Sequence, residues 1–214
     1  MTGSLHSILA WTPDTAAEEI AAADALFCPS PLPAPVPGNR TILLPPDESE
    51  EALRMVVRLR PTAVALLNCR SGADVQRLDV LLSVAEAEEG LGPGTTAILA
   101  WTDGLLPAPF DATGFVGKSA RLSGLVWDWR PLARLLGAER WQDEQGAWTA
   151  AFAGARSMTL MAAKAAGVAA YEVAAGGNHL SAGCRRARAD GFDGCVAVDA
   201  GQVAIINQAY RSAP

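Results

Sequence analysis

Residues 61–103 read PTAVALLNCRSGADVQRLDVLLSVAEAEEGLGPGTTAILAWTD, and their pattern decides the fold. The run from Ala63 to Asn68 is short, apolar and β-prone. Ser71 then stands as a helix N-cap, and from Ala73 to Glu89 apolar residues recur three and four apart. Gly90 suits the end of that helix, and Thr96 to Trp101 forms a second β-prone run. Strand, helix and strand in this order make one βα repeat of a parallel sheet.

The same alternation extends outward in both directions. Further strands are predicted at Ser7 to Trp11, Ala25 to Cys28, Thr41 to Leu44, Leu122 to Trp127, Val168 to Val173 and Cys195 to Val198. Helices are predicted at Thr15 to Ala23, Glu50 to Leu59, Pro131 to Leu136, Ala147 to Ala166, Leu180 to Ala189 and Gln202 to Tyr210. Asp14 and Ser49 are candidate N-caps, while Gly137, Gly167 and Gly191 fit helix ends. Between the second and third strands, Pro29 to Gly38 carries five prolines that remove backbone donors, so an extended loop replaces a helix there. Eight strands with intervening helices predict a compact (β/α)8 TIM barrel, α/β in class, forming a single domain over residues 1–214. The alternative is an open doubly wound sheet. Neither a G-x-G-x-x-G after the first strand nor a G-x-x-x-x-G-K-[ST] is present to favour it.

The chain carries a net charge of −6 with no lysine- or arginine-rich run, which argues against nucleic acid or an anionic membrane as partner. No basic, apolar and small-residue leader opens it, and no apolar stretch approaches the roughly 20 residues of a membrane span, so a cytoplasmic protein is expected. Cys28, Cys69, Cys184 and Cys195 form no C-x-x-C, and His6 and His179 are the only histidines. Neither a disulfide framework nor a zinc site is signalled.

The segment from Ala189 to Asn207, ADGFDGCVAVDAGQVAIIN, resembles the ending of the citrate lyase beta-subunit-like family of the HpcH/HpaI aldolase superfamily, which reads G-F-x-G-K, an apolar run, I-H-P-x-Q-V and an asparagine. Ala155-Arg156-Ser157 with the helix that follows, Ser71 to Val75, and Leu132 to Gly137 match further family segments in order. The resemblance implies a TIM barrel that makes or breaks carbon-carbon bonds in acyl-CoA or oxo-acid substrates, with Mg²⁺ stabilising an enolate. It also implies a homo-oligomer, a trimer or hexamer, and the apolar final helix offers a packing face for one.

The family's working positions are replaced here. Its first-strand arginine falls at Thr15, its second-strand acidic pair at Pro31 and Leu32, and its third-strand arginine near Leu43. The lysine and glutamate of P-K-x-E fall at Asn68 and Arg70. The metal-ligating glutamate of I-E-T falls at Ala100, and the acidic pair of G-A-E-D at Arg130 and Pro131. Alanine and proline offer no ligand oxygen, so no metal is expected at the family's position. A divergent pseudoenzyme that binds a ligand or supports an assembly is the expected function. An active lyase with a rearranged site and a structural partner of an intact family enzyme are the alternatives.

A barrel of this type works at the C-terminal ends of its strands. Candidates there for ligand binding are Trp11, Asn68, Arg70, Trp101, Trp127 and Trp129, and for acid-base work or anion contact Arg70, Asp103, Asp128, Arg130 and Glu172. Trp11, Trp101 and Trp127 are expected to converge, either as a stacking platform or as a plug. Cys28 and Cys69 read as buried thiols without an activating base, Arg156 as a helix-end packing residue, and Asp199 as a cap for the last helix.

Overall fold

The computed structural model describes residues 5–29, 40–107 and 114–211. Eight parallel strands close into a barrel in chain order: β1 (Ser7–Ala10), β2 (Ala25–Pro29), β3 (Arg40–Leu44), β4 (Ala63–Leu66), β5 (Ala97–Thr102), β6 (Leu122–Trp127), β7 (Ala169–Val173) and β8 (Gly194–Ala197). Closure is made by β1 against β8, with Ser7 opposite Cys195 and Leu9 opposite Ala197. The helices described are α1 (Ala17–Ala22), α2 (Glu50–Arg58), α3 (Gly72–Glu88), α4 (Trp129–Leu136), α5 (Ala150–Ala165), α6 (Leu180–Asp190) and α7 (Gly201–Arg211). None of them is long and apolar enough to cross a membrane.

Each predicted strand is present, and local chemistry accounts for the shifted ends. β4 stops at Leu66 because Asn68 turns the chain in the left-handed region at φ +53°, a conformation asparagine tolerates. α1 starts at Ala17, and its N-cap is Ala16, not Asp14. The Glu19 carboxylate accepts from the Ala16 N–H at 2.9 Å and so fills the capping role that alanine lacks. α4 starts at Trp129 because Asp128 caps it, and Pro131 sits in the first turn, where a missing N–H costs no helical bond. α5 starts three residues late. Before it the chain makes a small hairpin, with Gln142 bridged to Trp148 and Gly146 at φ +73°. Of the proline-rich connector, Pro29 ends β2 and residues 30–38 lie outside the described residues. A second connection without a described helix is that between β5 and β6, where residues 103–107 and 114–121 run irregularly.

Strand alternation sorts the side chains into two sets. Ile8, Ala25, Ile42, Ala63, Ala65, Leu99, Trp101, Val126, Tyr171, Val173 and Val196 pack together inside the barrel. Leu9, Leu26, Leu43, Val64, Ile98, Leu125, Ala170 and Ala197 face outward and meet the buried stripes of the helices, such as Leu53, Val56 and Val57 of α2 and Val75, Leu78 and Leu82 of α3. The apolar stripe of α7, Val203, Ile206, Ala209 and Tyr210, is buried against this chain's own barrel and α6. It therefore cannot serve as the association face anticipated for it.

The N-terminal ends of the strands are tied by buried charge. Arg121, just before β6, pairs with Glu86 of α3 through Nη1 and Nη2 at 2.8 and 2.7 Å, with Asp79 at 2.6 Å, and donates to the Thr96 carbonyl at 3.1 Å. Glu86 is fully buried and also accepts from the N–H groups of Thr96 and Gly94, both at 2.8 Å. Burial pushes its carboxyl up, but Arg121 and these N–H donors outweigh that and hold it at about 2. Nearby, Asp24 accepts from the N–H groups of His6 and Ser7 and pairs with Arg211.

Glu86→Ala leaves the Arg121 guanidinium buried with only Asp79 as counter-charge, and we expect a loss of about 3–5 kcal/mol in urea unfolding. The folded pKa of Glu86 lies below its unfolded value near 4.5. Its stabilisation is therefore fully present above that value and is lost as pH falls from about 4.5 toward about 2. The acid limb of the stability curve should flatten in Glu86→Gln, measured by the denaturation midpoint between pH 2 and 5.

Candidate functional site

At the C-terminal mouth, β5 delivers Trp101, Thr102 and Asp103 in succession. Trp101 points inward, is 4% exposed, and stacks on Phe27 of β2 with centroids 4.8 Å apart and planes at 28°. Two rings from strands that are not neighbours thus meet inside the barrel near its mouth. Asp103 is nearly buried. Its carboxylate pairs with Arg70 at 2.7 Å and accepts from the Leu105 N–H at 3.0 Å, while its carbonyl accepts from the Trp127 indole N–H at 3.3 Å. Asp128, at the end of β6, caps α4 and holds Arg130 bidentately, with Nε and Nη2 donating at 2.8 and 2.7 Å. Hydrogen bonding to Asp128 raises the already high pKa of Arg130 further. Asn68 is exposed on its left-handed turn. The structure thus brings Asn68, Arg70, Trp101, Asp103, Asp128 and Arg130 to one end of the barrel, with each acid already matched to an arginine.

The tryptophans do not converge, because successive residues of a strand face opposite sides of the sheet. Trp101 belongs to the interior set, whereas Trp127 lies in an outer cluster with Leu132, Phe152 and Ala155. There it meets Trp148 edge-on, centroids 4.7 Å apart and planes at 75°. Trp129 stacks on Trp141 at 4.5 Å, and its buried indole N–H has no hydrogen-bond partner among the described residues. Trp11 is half-buried against the core between sheet and helices. The inward ring that meets Trp101 is Phe27, which sequence reasoning missed. Its signal was available in the spacing, since Ala25 and Phe27 share a face of β2.

Glu172 is also placed differently from the expectation. It lies between the inward residues Tyr171 and Val173, so it faces the helices rather than the mouth. There Arg156 pairs with it at 2.5 Å, reaches Asp190 at 2.7 Å and covers the Phe192 ring at 4.5 Å. Burial pushes the Glu172 carboxyl up, against the opposing pull of Arg156. Arg156 is interior to α5 rather than at its end, and the pair locks α5 and α6 onto β7. Cys28 and Cys69 are buried, and burial raises their thiols to about 11 and about 12, which disfavours a thiolate at neutral pH. His6 lies at the opposite end, stacked on Tyr210, and His179 begins α6. Asp199 accepts from the Gly201 N–H at 2.7 Å at the start of α7, as its capping role requires.

The donor set at the mouth does not fit the Mg²⁺ site that the family resemblance implies. Ala100 faces the helices, so the position on β5 that projects toward the barrel axis is Trp101, which also has no ligand oxygen. Pro131 lies within α4. Among the described residues no three His, Cys, Asp or Glu side chains group closely enough to hold a metal ion.

Trp101→Ala should cost about 3–5 kcal/mol in chemical denaturation, because the deleted ring is buried and its partner Phe27 cannot fill the space. Arg70→Ala should cost less than about 1 kcal/mol, since the Arg70 side chain is 58% exposed and its pair with Asp103 is screened.

No protein-family model and no curated protein matches the chain. Solved structures do match its fold. The citrate lyase beta subunit complexed with oxaloacetate and magnesium from Mycobacterium tuberculosis superposes with a TM-score of 0.71 at 20% identity, over 99% of each chain. CitE from the same organism, in complex with magnesium, acetoacetate and coenzyme A, gives 0.72 at 20% identity over 100% of this chain and 83% of that one. RipC from Yersinia pestis gives 0.67 at 16% identity over 98% and 96%. The chain is thus a closed eight-stranded α/β barrel that shares its fold with the citrate lyase beta subunit and RipC structures.

Proposed function

We propose that this chain is a divergent barrel of the citrate lyase beta type that binds a small carboxylate or acyl-CoA, or supports an assembly, without performing metal-dependent carbon-carbon cleavage. The observation that carries this reading is the Trp101–Phe27 stack. It sets an indole where the barrel-facing position of β5 would have to supply a carboxylate. The rim supports binding over turnover, because Asp103 and Asp128 are held by Arg70 and Arg130 and are poor candidates for exchanging protons with a substrate. The guanidinium of Arg70, more than half exposed, is suited to an incoming anion. The ligand class follows the similar structures, which hold oxaloacetate, or acetoacetate with coenzyme A.

An active lyase with a rearranged site is the second reading, favoured by the gathering of Arg70, Asp103, Asp128 and Arg130 on one rim. The four cysteines are unpaired and buried, which supports a reducing, cytoplasmic setting. Self-association would use exposed apolar residues such as Val80 and Val84 of α3 or Leu135 and Leu136 of α4, since α7 is spent within the chain.

The deciding experiment incubates the purified protein with a panel of acyl-CoAs and oxo acids, with and without Mg²⁺ or Mn²⁺. It reads thermal stability together with release of oxo acid. Ligand-dependent stabilisation that is unchanged by metal, with no cleavage, is the expected outcome. Metal-dependent cleavage would establish the second reading instead.

A further inference from the structure

The bulk inside this barrel is unevenly distributed along its axis. Near the C-terminal mouth the interior holds Phe27 and Trp101, with Val126 and Val173 among the inward residues, whereas toward the N-terminal ends the strands present Ala25, Ala63, Ala97 and Ala169. β6 contributes Gly124, where an added Cβ would come within 2.9 Å of Leu99 and 3.0 Å of Tyr171. Interiors of such barrels are ordinarily filled by layers of branched side chains. Here small residues leave a cavity of about 360 Å³ opening at the N-terminal mouth, with walls from Ile42, Ala63, Leu99, Ala169 and Tyr171 and with Arg40 and Asp193 at its rim.

Its chemistry is that of a small-molecule site: apolar walls with a few polar groups at one end. Tyr171 is 95% buried, and its hydroxyl makes no hydrogen bond to another described residue. Burial, reinforced by Asp193, raises the phenol to about 12, so at neutral pH it is a donor facing the cavity. Asp193 is already engaged, accepting from the Ala170 N–H at 2.8 Å and from Lys164 Nζ at 2.7 Å. Arg40 brings a guanidinium, always charged, to the same rim. A cation and a phenolic donor beside an apolar chamber match a carboxylate on a compact apolar body.

We propose that the N-terminal mouth of the barrel binds a small apolar monocarboxylate, short-chain or aromatic, with its body against Ile42, Ala63, Leu99 and Ala169 and its carboxylate on Tyr171 and Arg40. This site lies at the end of the barrel opposite Trp101 and Arg70, and stands whether or not the C-terminal mouth binds anything.

Calorimetry and thermal shift with benzoate and its uncharged isostere benzamide test it. Benzoate should bind about tenfold more tightly than benzamide, and Arg40→Gln and Tyr171→Phe should each weaken benzoate about tenfold while leaving benzamide little changed. Ala63→Leu, which fills the chamber, should abolish binding of both. Tyr171→Phe removes a single oxygen from a fully retained ring, so it keeps the test decisive should Ala63→Leu fail to fold. Equal binding of benzoate and benzamide, or benzoate binding untouched by Tyr171→Phe, would overturn the proposal. Neither Arg40→Gln nor Tyr171→Phe should alter the response to acyl-CoA, which separates this site from the one at the opposite mouth.

Discussion

Closure of the eight-stranded sheet is the constraint on which the rest depends. Once β1 pairs with β8, every strand residue must face either the axis or the helices, and no edge remains at which a side chain can escape that choice. Trp101 and Trp127 show the consequence. They stand on adjacent strands, with Thr102 opposite Trp127, yet one ring fills the barrel and the other anchors α4 and α5 from outside. The same rule sends Glu172 to Arg156 and Tyr171 into the interior, although the two residues are consecutive.

This sorting is reinforced by a division of polar chemistry between the two ends. At the N-terminal end, Arg121 and Glu86 pair in a buried setting, while Asp24 accepts from backbone N–H groups at the start of β1 and pairs with Arg211, and together they fix α3, α7 and the strand starts. At the C-terminal end, Arg70–Asp103 joins two loops and Asp128–Arg130 lies within the start of α4, and both arginines are more open to solvent. An exposed pair is worth little to folding, whereas a buried one is costly to break. The C-terminal rim can therefore change with small effects on stability, which is the usual arrangement for a barrel whose loops diverge while its frame persists.

The strands were legible because each is a short apolar run bounded by glycine, proline or a capping residue, and those signals are local. Ser49 and Ser71 marked their helices for the same reason, and Gly137 and Gly191 closed theirs in left-handed conformations. Asp14 misled because it carries a capping side chain and Ala16 does not, while the observed cap at Ala16 is supplied by Glu19, three residues ahead. The gathering of Arg70, Asp103 and Asp128 at the strand ends was readable from their positions after β4, β5 and β6. The pairing of Trp101 with Phe27 was not. It joins residues 74 positions apart, and only the barrel's curvature brings them within stacking distance. A strand end names the layer a residue occupies, but parity decides its face, sending Trp101 to the axis and Trp127 and Glu172 to the helices.

The placement of bulk inside the barrel links these observations. Eight strands enclose a limited interior, so side-chain volume added at one level and removed at another changes where the barrel is open. Trp101 and Phe27 concentrate aromatic volume near the C-terminal mouth, while Ala25, Ala63, Ala97 and Ala169 withhold it from the N-terminal one. Leu99 and Tyr171 pass close to Gly124 between these levels, and a larger residue at 124 would drive them apart. An inward aromatic on β5 is therefore tolerated without expanding the sheet, because Phe27 supplies a flat partner and the strands below carry little to compete for room. The indole at the barrel-facing position of β5 and the chamber at the far end are two sides of one distribution of side-chain volume within the closed frame.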